Sequence, residues 1–165
     1  MPDQGHFTGA AGAAVGGHVV AASDAPRALI AELLEAWNAH DLDGVLACYD
    51  PAYEGTDIGE ATSQQSVIAV RKMVRRWLRA FPDLRIEAEA IVVEEERAVL
   101  AWSLHATHQG SFMRIPATQR PFTMRGVTIM TIAEGQIVRG SRIWDMAAFL
   151  RSVGLLPDLR DHPED

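Results

Sequence analysis

The sequence has one cysteine and comparatively few basic residues. Cys48 is the only cysteine among 165 residues, which excludes an internal disulfide and any metal site built from several cysteines. Lys and Arg number 15 against 22 Asp and Glu, for a net charge of −7. This balance argues against a broad basic face that binds nucleic acid. No run of about 18 apolar residues is present, so we expect no membrane span. The single cysteine fits a reducing cytosol, and we expect a cytoplasmic protein.

Several catalytic signatures are also absent. The chain has no Gly-x-Ser-x-Gly, no Walker loop, no Gly-x-Gly-x-x-Gly and no His-Glu-x-x-His. Cys48 lies in an apolar helical stretch, which favours a core residue over a nucleophile. The remaining possibility for catalysis is acid–base chemistry, and we expect no metal and no other cofactor.

The composition predicts one globular domain with polar or flexible ends. Apolar residues make up 48% of the chain, and the length is typical of one domain. Residues 1–25 are rich in Gly and Ala and lack the cationic start of a secretory signal. We therefore predict a flexible tail over 1–25, in which His6 and His18 are solvated, a domain over 26–157 and a polar tail over 158–165.

The first half of the domain has the apolar spacing of helices. The pattern predicts helices over 26–40, 42–49 and 64–80. Asp41 is predicted to cap the second helix, and Asp50-Pro51 to end it. A short strand is predicted over 53–57.

The second half changes to the period of strands. Strands are predicted over 84–94, 97–108, 122–133 and 136–144, followed by a helix over 146–153. Glu134-Gly135 is typical of a two-residue hairpin turn. Helices followed by antiparallel strands predict an α+β fold. A curved sheet wrapped around the long helix would bury its inner face and leave an internal pocket.

Asp145 is the leading catalytic candidate. Counting outward from the Glu134-Gly135 turn places Asp145 opposite Met124, on the same face as Ile143 and Ser141. A carboxylate in such an apolar cavity should have a raised pKa, which suits a general acid or base. The alternative is that Asp145 serves only as the N-cap of the last helix, and the spacing does not decide between the two.

Two histidines lie on the second long strand. His105 and His108 are three residues apart, so a regular strand points them to opposite faces, which argues against a shared metal site. His105 follows Trp102 and Leu104 and is a candidate to pair with Asp145. A packed or solvated role is the alternative.

Aromatic residues are predicted to line the pocket and bind a hydrophobic, planar or polycyclic small molecule. A position in the core is the alternative for most of them. The candidate substrate-binding residues are Trp37, Tyr49, Tyr53, Trp77, Trp102, His108 and Met124.

Four motifs in order resemble the SnoaL-like polyketide cyclases over roughly residues 28 to 156. They are Trp37-Asn38-Ala39-His40-Asp41-Leu42-Asp43 followed by Tyr49, Thr107-His108-Gln109-Gly110-Ser111-Phe112 followed by Ile115-Pro116-Ala117-Thr118, Ile132-Ala133-Glu134-Gly135-Gln136-Ile137-Val138, and Trp144-Asp145 with 150–154.

The resemblance implies a nuclear transport factor 2-like cone, an α+β fold with a deep pocket that commonly dimerises through its sheet. It also implies that Asp145 is the acid/base in an intramolecular aldol closure of a polyketide ester, without a metal. One departure is that Arg139 and Ser141 stand where members often carry an acidic residue and a Trp.

Three functional hypotheses follow. The first is a cofactor-free cyclase, an isomerase or lyase of natural-product biosynthesis, in which Asp145 moves the proton and His105 orients a carbonyl. The second is an epoxide-opening hydrolase or a cyclic-ether-forming cyclase that uses the same pocket. The third is a non-catalytic module for small-molecule binding or dimerisation. In each case we expect a homodimer that binds neither nucleic acid nor membranes.

Overall fold

The computed structural model describes residues 24–157. The predicted tails, except the start of the first helix, lie outside this range, as do His6 and His18. Within 24–157, no helix is long and apolar enough to cross a membrane. The elements are α1 (Asp24–Asn38), α2 (Leu42–Ala47), β1 (Tyr49–Asp57), β2 (Thr62–Gln64), α3 (Val67–Ala80), β3 (Arg85–Glu94), β4 (Arg97–Thr107), β5 (Pro121–Ala133), β6 (Gln136–Trp144) and α4 (Met146–Ser152).

The strands form one curved six-stranded sheet in the order β2-β1-β6-β5-β4-β3. Helices α1 and α3 contribute buried residues to one core with its inner face, among them Ile30, Val74 and Leu104. The predicted α+β class, the four long strands and the four helices are therefore confirmed. Asp41 caps α2 by accepting a hydrogen bond from the Gly44 N–H at 3.0 Å, as predicted.

The first strand differs from the sequence-based prediction. It begins at Tyr49, so α2 ends earlier than expected, and Asp50-Pro51 lies in the strand. Strand β1 pairs with β6 in parallel, with Tyr49 opposite Ile137 and Asp57 opposite Arg142. The sheet is thus mixed rather than antiparallel throughout, because tertiary pairing extends the strand beyond its local signal.

A β-bulge changes the register of the last hairpin. The turn has positive φ at Glu134 and Gly135, and Ala133 pairs with Gln136 as predicted. Ile132 then pairs with Ile137 and Thr131 with Arg139, which leaves Val138 as one extra residue on β6. A bulge of this kind moves every later side chain to the other face. Gly126 therefore lies opposite Trp144, not Ile143.

The first of the four motifs, Trp37 to Asp43, contains side chains that attach the end of α1 to the sheet. The Asn38 side chain donates a hydrogen bond to the Ile86 carbonyl at 2.8 Å and accepts one from the Ile86 N–H at 2.7 Å. His40 adds a contact to the Leu84 carbonyl at 3.0 Å. These bonds fix the end of α1 against the edge strand β3, so that α1 lies across the concave face of the sheet.

Candidate active site

A narrow pocket lies between α1, α3 and the inner face of the sheet. The cavity volume is about 60 Å³, so a ligand must be thin or must displace side chains. We call this space the inner pocket; its lining is Leu33, Leu34, Trp37, Tyr49, Tyr53, Thr56, Gln64, Val70, Met73, Trp77, Ile86, Leu100, Trp102, Leu104, Thr128, Met130 and Arg142.

Five of the seven predicted substrate-binding residues line the inner pocket. Helices α1 and α3 contribute Trp37 and Trp77, strand β4 contributes Trp102, and strand β1 contributes Tyr49 and Tyr53. The indole N–H of Trp102 is already used, since it donates to the Thr128 hydroxyl at 3.0 Å. The wall is therefore mostly apolar and aromatic, which suits a hydrophobic ligand with few polar groups.

Two phenols and one guanidinium, those of Tyr49, Tyr53 and Arg142, give the inner pocket a polar side that we call the polar wall. The rings of Tyr49 and Tyr53 meet edge to face, with centroids 4.9 Å apart. Burial raises the pKa of both hydroxyls, and the neighbouring Arg142 opposes that shift. Both phenols therefore stay neutral at physiological pH and keep a proton to donate.

Two glycines make room for Tyr53. A Cβ on Gly55 would lie 2.0 Å from the Tyr53 hydroxyl, and one on Gly140 would lie 2.6 Å from it. Gly55 and Gly140 are partners in the β1–β6 ladder. The Tyr53 ring can therefore rest against the backbone of both strands.

Arg142 completes the polar wall and is paired with Asp57. Its Nε lies 3.0 Å from Asp57 Oδ2, but the N–H points off the line of contact, so the ion pair lacks a well-formed hydrogen bond. Asp57 is 1% exposed. Its Oδ1 accepts hydrogen bonds from Trp144 Nε1 at 2.8 Å and from the Glu60 N–H at 3.0 Å. The carboxylate is therefore held from both β6 and the loop after β1.

A second ion pair lies beside the first. Glu60 contacts Arg76 at 2.5 Å and accepts a hydrogen bond from Trp77 Nε1 at 3.3 Å. Burial raises the pKa of Glu60, and the Arg76 charge opposes that rise. The Arg142 guanidinium lies over the Trp77 ring, 5.5 Å from its centroid. The negative charges of Asp57 and Glu60 are thus balanced by the positive charges of Arg142 and Arg76 at this end of the inner pocket.

The prediction that Asp145 faces the pocket is wrong. Its side chain is exposed and accepts a hydrogen bond from the Ala148 N–H at 2.8 Å, as the N-cap of α4. The bulge at Val138 explains the error, because it turns Arg142 and Trp144 inward in place of Ser141, Ile143 and Asp145. The structure therefore supports the helix-cap alternative for Asp145.

His105 is also outside the inner pocket. It is exposed on β4, and its Nδ1 lies 3.0 Å from the Thr123 hydroxyl. The structure does not bring His105 and Asp145 together: His105 pairs with Thr123 across the β4–β5 ladder, whereas Asp145 caps α4. The sequence neighbours Trp102 and Leu104 point inward, so the alternation of the strand sends His105 outward.

The other two predicted binding residues are buried elsewhere. Met124 is 1% exposed and lies outside the lining of the inner pocket. His108 is fully buried against Phe81 and Phe149, and its Nδ1 lies 3.1 Å from the Thr118 hydroxyl. His108 is thus buried, whereas His105 is exposed. The described residues contain no group of three or more potential metal ligands.

Sequence reasoning missed Asp57 and Arg142. The sequence pattern puts Asp57 only at the end of a short strand, and the register counted from the turn puts Arg142 on the outer face. A charged residue at an inward position of a strand indicates a buried ion pair, since a buried charge needs a partner. The inward positions of β6 can be identified only when the bulge and the parallel pairing with β1 are known.

The sequence is similar to one described protein family. The family model described as SnoaL-like polyketide cyclase matches residues 28–153. No curated protein matches the chain.

The chain is also similar to solved structures. AclR of Streptomyces galilaeus, a candidate hydroxylase, is 30% identical with a TM-score of 0.73, covering 82% of this chain and 88% of that one. IdmH of Streptomyces antibioticus, a candidate polyketide cyclase, is 25% identical with a TM-score of 0.69, covering 78% and 98%. An NTF2-like protein from Burkholderia pseudomallei, 20% identical with a TM-score of 0.67 and covering 79% and 98%, shares the fold.

Proposed function

Because the chain belongs to the SnoaL-like polyketide cyclase family, we propose that it closes a ring within a small, largely apolar substrate bound in the inner pocket. The observation that carries the proposal is the pocket itself, whose aromatic and aliphatic walls end in one polar wall of Tyr49, Tyr53 and Arg142. The similarity to IdmH, a candidate polyketide cyclase, supports the same class of reaction.

The proposed reaction is an intramolecular aldol closure. An enolisable carbon forms a bond to a ketone carbon, and the proton that this carbon loses is transferred to the ketone oxygen, so atoms and charge balance. This is an isomerisation that balances without a redox partner, in keeping with the expected independence from cofactors. A narrow pocket that holds the chain folded would accelerate the step by proximity.

The acid/base role is not assigned to Asp145 in this proposal. The resemblance implies that role, but the carboxylate lies outside the inner pocket and is bound to the Ala148 N–H. The polar side chains that line the inner pocket are Tyr49, Tyr53, Thr56, Gln64, Thr128 and Arg142, and none of them is a carboxylate. Trp37, Trp77 and Trp102 are proposed to bind its apolar part, as the aromatic composition predicted.

The experiment is to incubate the protein with an aromatic ester that carries an unclosed β-keto side chain, and to follow ring closure by absorbance and mass. We expect a product of unchanged mass, formed faster than in buffer alone and equally fast after dialysis against a chelator. A variant with Trp77→Ala should lose turnover. Arg71→Ala is the matched α3 control, since that side chain pairs with Asp43 outside the pocket, and it should retain activity.

A non-catalytic binding module is the second candidate, and the position of Asp145 at a helix cap favours it. In that case the ester binds in the inner pocket and is released chemically unchanged. Quenching of tryptophan fluorescence measures the binding.

An epoxide-opening reaction is distinguished by isotope labelling. Hydrolysis of an epoxide in ¹⁸O-water adds 20 mass units to the substrate's mass, roughly the mass of one labelled water, whereas ring closure adds none.

We also propose that the outer face of the sheet forms a homodimer. Val92 pairs with Val99, and Val99 pairs with Ile129, which makes an apolar row across β3, β4 and β5. Val92 is 62% exposed and Ile129 44%. Exposed apolar rows of this kind are typical of interaction surfaces.

A further inference from the structure

The loop between β1 and β2 supplies a carboxylate that holds one tryptophan of the inner pocket. We propose that Glu60 is a positioning residue that determines specificity, because it fixes the Trp77 indole and so keeps the inner pocket too narrow for bulky ligands. The inference rests on the proposed function only in taking the inner pocket as the ligand site.

The first argument is that Glu60 holds Trp77 from outside the pocket. Its Oε1 accepts hydrogen bonds from Trp77 Nε1 at 3.3 Å and from the Arg76 guanidinium at 2.7 Å. The Glu60 side chain is 3% exposed. It lies outside the lining of the inner pocket, whereas Trp77 is part of that lining. Glu60 therefore acts on a bound ligand through Trp77 rather than by contact.

The second argument is that the loop fixes the position of Glu60. The Glu60 N–H donates to Asp57 Oδ1 at 3.0 Å, and the same oxygen accepts a hydrogen bond from Trp144 Nε1 at 2.8 Å. Gly59 packs directly on Trp144, since a Cβ at this glycine would lie 2.3 Å from the indole nitrogen. The carboxylate is therefore in place before a ligand binds, as a supporting residue of a binding site must be.

The third argument is that the apolar neighbours of Trp77 do not satisfy its N–H. Trp77 is 1% exposed. Phe81 and Phe112 meet its ring edge to face, with centroids 5.5 Å and 5.1 Å away. These contacts fill space but provide no oxygen acceptor, and a buried N–H without an acceptor is unfavourable. The bond to Glu60 therefore selects one orientation of the indole.

The fourth argument is that the fixed indoles enclose a small space. Trp102 is held within the sheet, since its Nε1 donates to Thr128 on the neighbouring strand at 3.0 Å. Trp77 is held by Glu60 from the loop, and the cavity that both rings line has a volume of about 60 Å³. A Trp77 ring released from Glu60 is free to turn, and its movement widens the cavity. The carboxylate thus sets the width that a ligand must match.

The test measures size selectivity with two neutral esters, methyl benzoate and the wider methyl 1-naphthoate. Their dissociation constants are measured by isothermal titration calorimetry with the purified protein. We expect Glu60→Met to shift the ratio of the two constants about tenfold in favour of the naphthoate, as the loss of one buried hydrogen bond permits. A general loss of folded protein weakens both esters alike and leaves the ratio unchanged.

A double-mutant cycle assigns the shift to the contact between the two side chains. In a Trp77→Phe background there is no indole N–H to hold, so adding Glu60→Met should shift the ratio by less than about threefold. Glu60→Gln keeps an oxygen that accepts the N–H, and its ratio should stay close to that of the wild type. Glu54→Met, at an exposed position on β1, is the matched control and should leave the ratio unchanged.

A spectroscopic measurement supports the test without relying on Glu60→Met. The four tryptophans of the chain give indole cross-peaks in ¹H–¹⁵N spectra, and Trp77→Phe identifies the peak of Trp77. Glu60→Gln replaces an ionised acceptor by a neutral one, so it should move this peak and leave that of Trp102 in place. An unmoved Trp77 peak would overturn the contact.

The positioning role is also overturned if Glu60→Met leaves the ratio at the wild-type value, or shifts it equally with and without the Trp77 indole. Failure of the proposed function gives a different result. A shifted ratio in a protein that closes no ring supports the role of Glu60 and refutes the cyclase. Ring closure with an unshifted ratio supports the cyclase and refutes the role of Glu60.

Discussion

Asp57 and Arg142 are direct partners in the parallel ladder between β1 and β6, and their side chains meet at 3.0 Å in the interior. Parallel pairing places both side chains on the inner face, although they are 85 positions apart in the chain. The pair thus joins the first strand to the last and fixes the polar wall of the inner pocket.

The first prediction concerns this ion pair. Arg142→Met leaves the Asp57 carboxylate buried and uncompensated, which should lower the free energy of unfolding by about 3 kcal/mol. Urea denaturation measures the change. The double variant with Asp57→Asn should recover at least half of the loss, since the buried charge is then gone. A single variant as stable as the wild type would show that the pair contributes nothing to folding.

The second prediction separates the two roles considered for Asp145. Asp145→Asn keeps a capping oxygen and should leave both turnover and stability close to wild type. Asp145→Ala removes the cap of α4 and should cost about 1 kcal/mol of stability. Turnover of the ring-closing substrate and urea denaturation are measured together. A loss of turnover in Asp145→Asn with unchanged stability would restore the acid/base role that the resemblance implies.

The third prediction concerns pH. Burial lowers the pKa of His108, and the nearby Gly110 backbone opposes that shift. Since the folded pKa is below the ordinary value of 6.5, the unfolded chain binds the proton more readily. The wild type should therefore lose stability as the pH falls below about 6.5, down to the folded pKa.

The variant for this prediction is His108→Phe, which packs against the same aromatic neighbours and does not titrate. Its stability should fall less steeply over the same pH range, as followed by thermal melts between acidic and neutral buffers. Parallel curves for both proteins would contradict the assignment to His108. His105→Phe, the same replacement at an exposed position of β4, is measured beside it.

The fourth prediction tests the proposed dimer. Ile129→Arg places a charge in the apolar row of the outer face and should convert a dimer to a monomer, as measured by light scattering after size exclusion. Asp43→Arg, an exposed position away from the sheet, is the control and should leave the dimer intact. A wild-type protein that is monomeric at all concentrations contradicts the proposal directly.

Local sequence signals predicted most of the elements. Strand β6 begins at Gln136 and ends at Trp144 as expected, because the Glu134-Gly135 turn fixes its start and Asp145 caps the helix that follows. The aromatic residues of α1 and α3 faced inward as their helical period required. The strand β2 was not predicted, since its three residues carry too short a pattern to read.

The sequence by itself determined the α+β class, the turn and cap residues, and the aromatic wall of Trp37, Trp77 and Trp102, because periodicity and capping act over a few neighbouring residues. The tertiary structure alone decided the polar wall. One extra residue at Val138 reverses the faces of β6, and parallel pairing with β1 brings Asp57 to Arg142. Both are long-range events, and together they place Arg142 inside the pocket and Asp145 outside it.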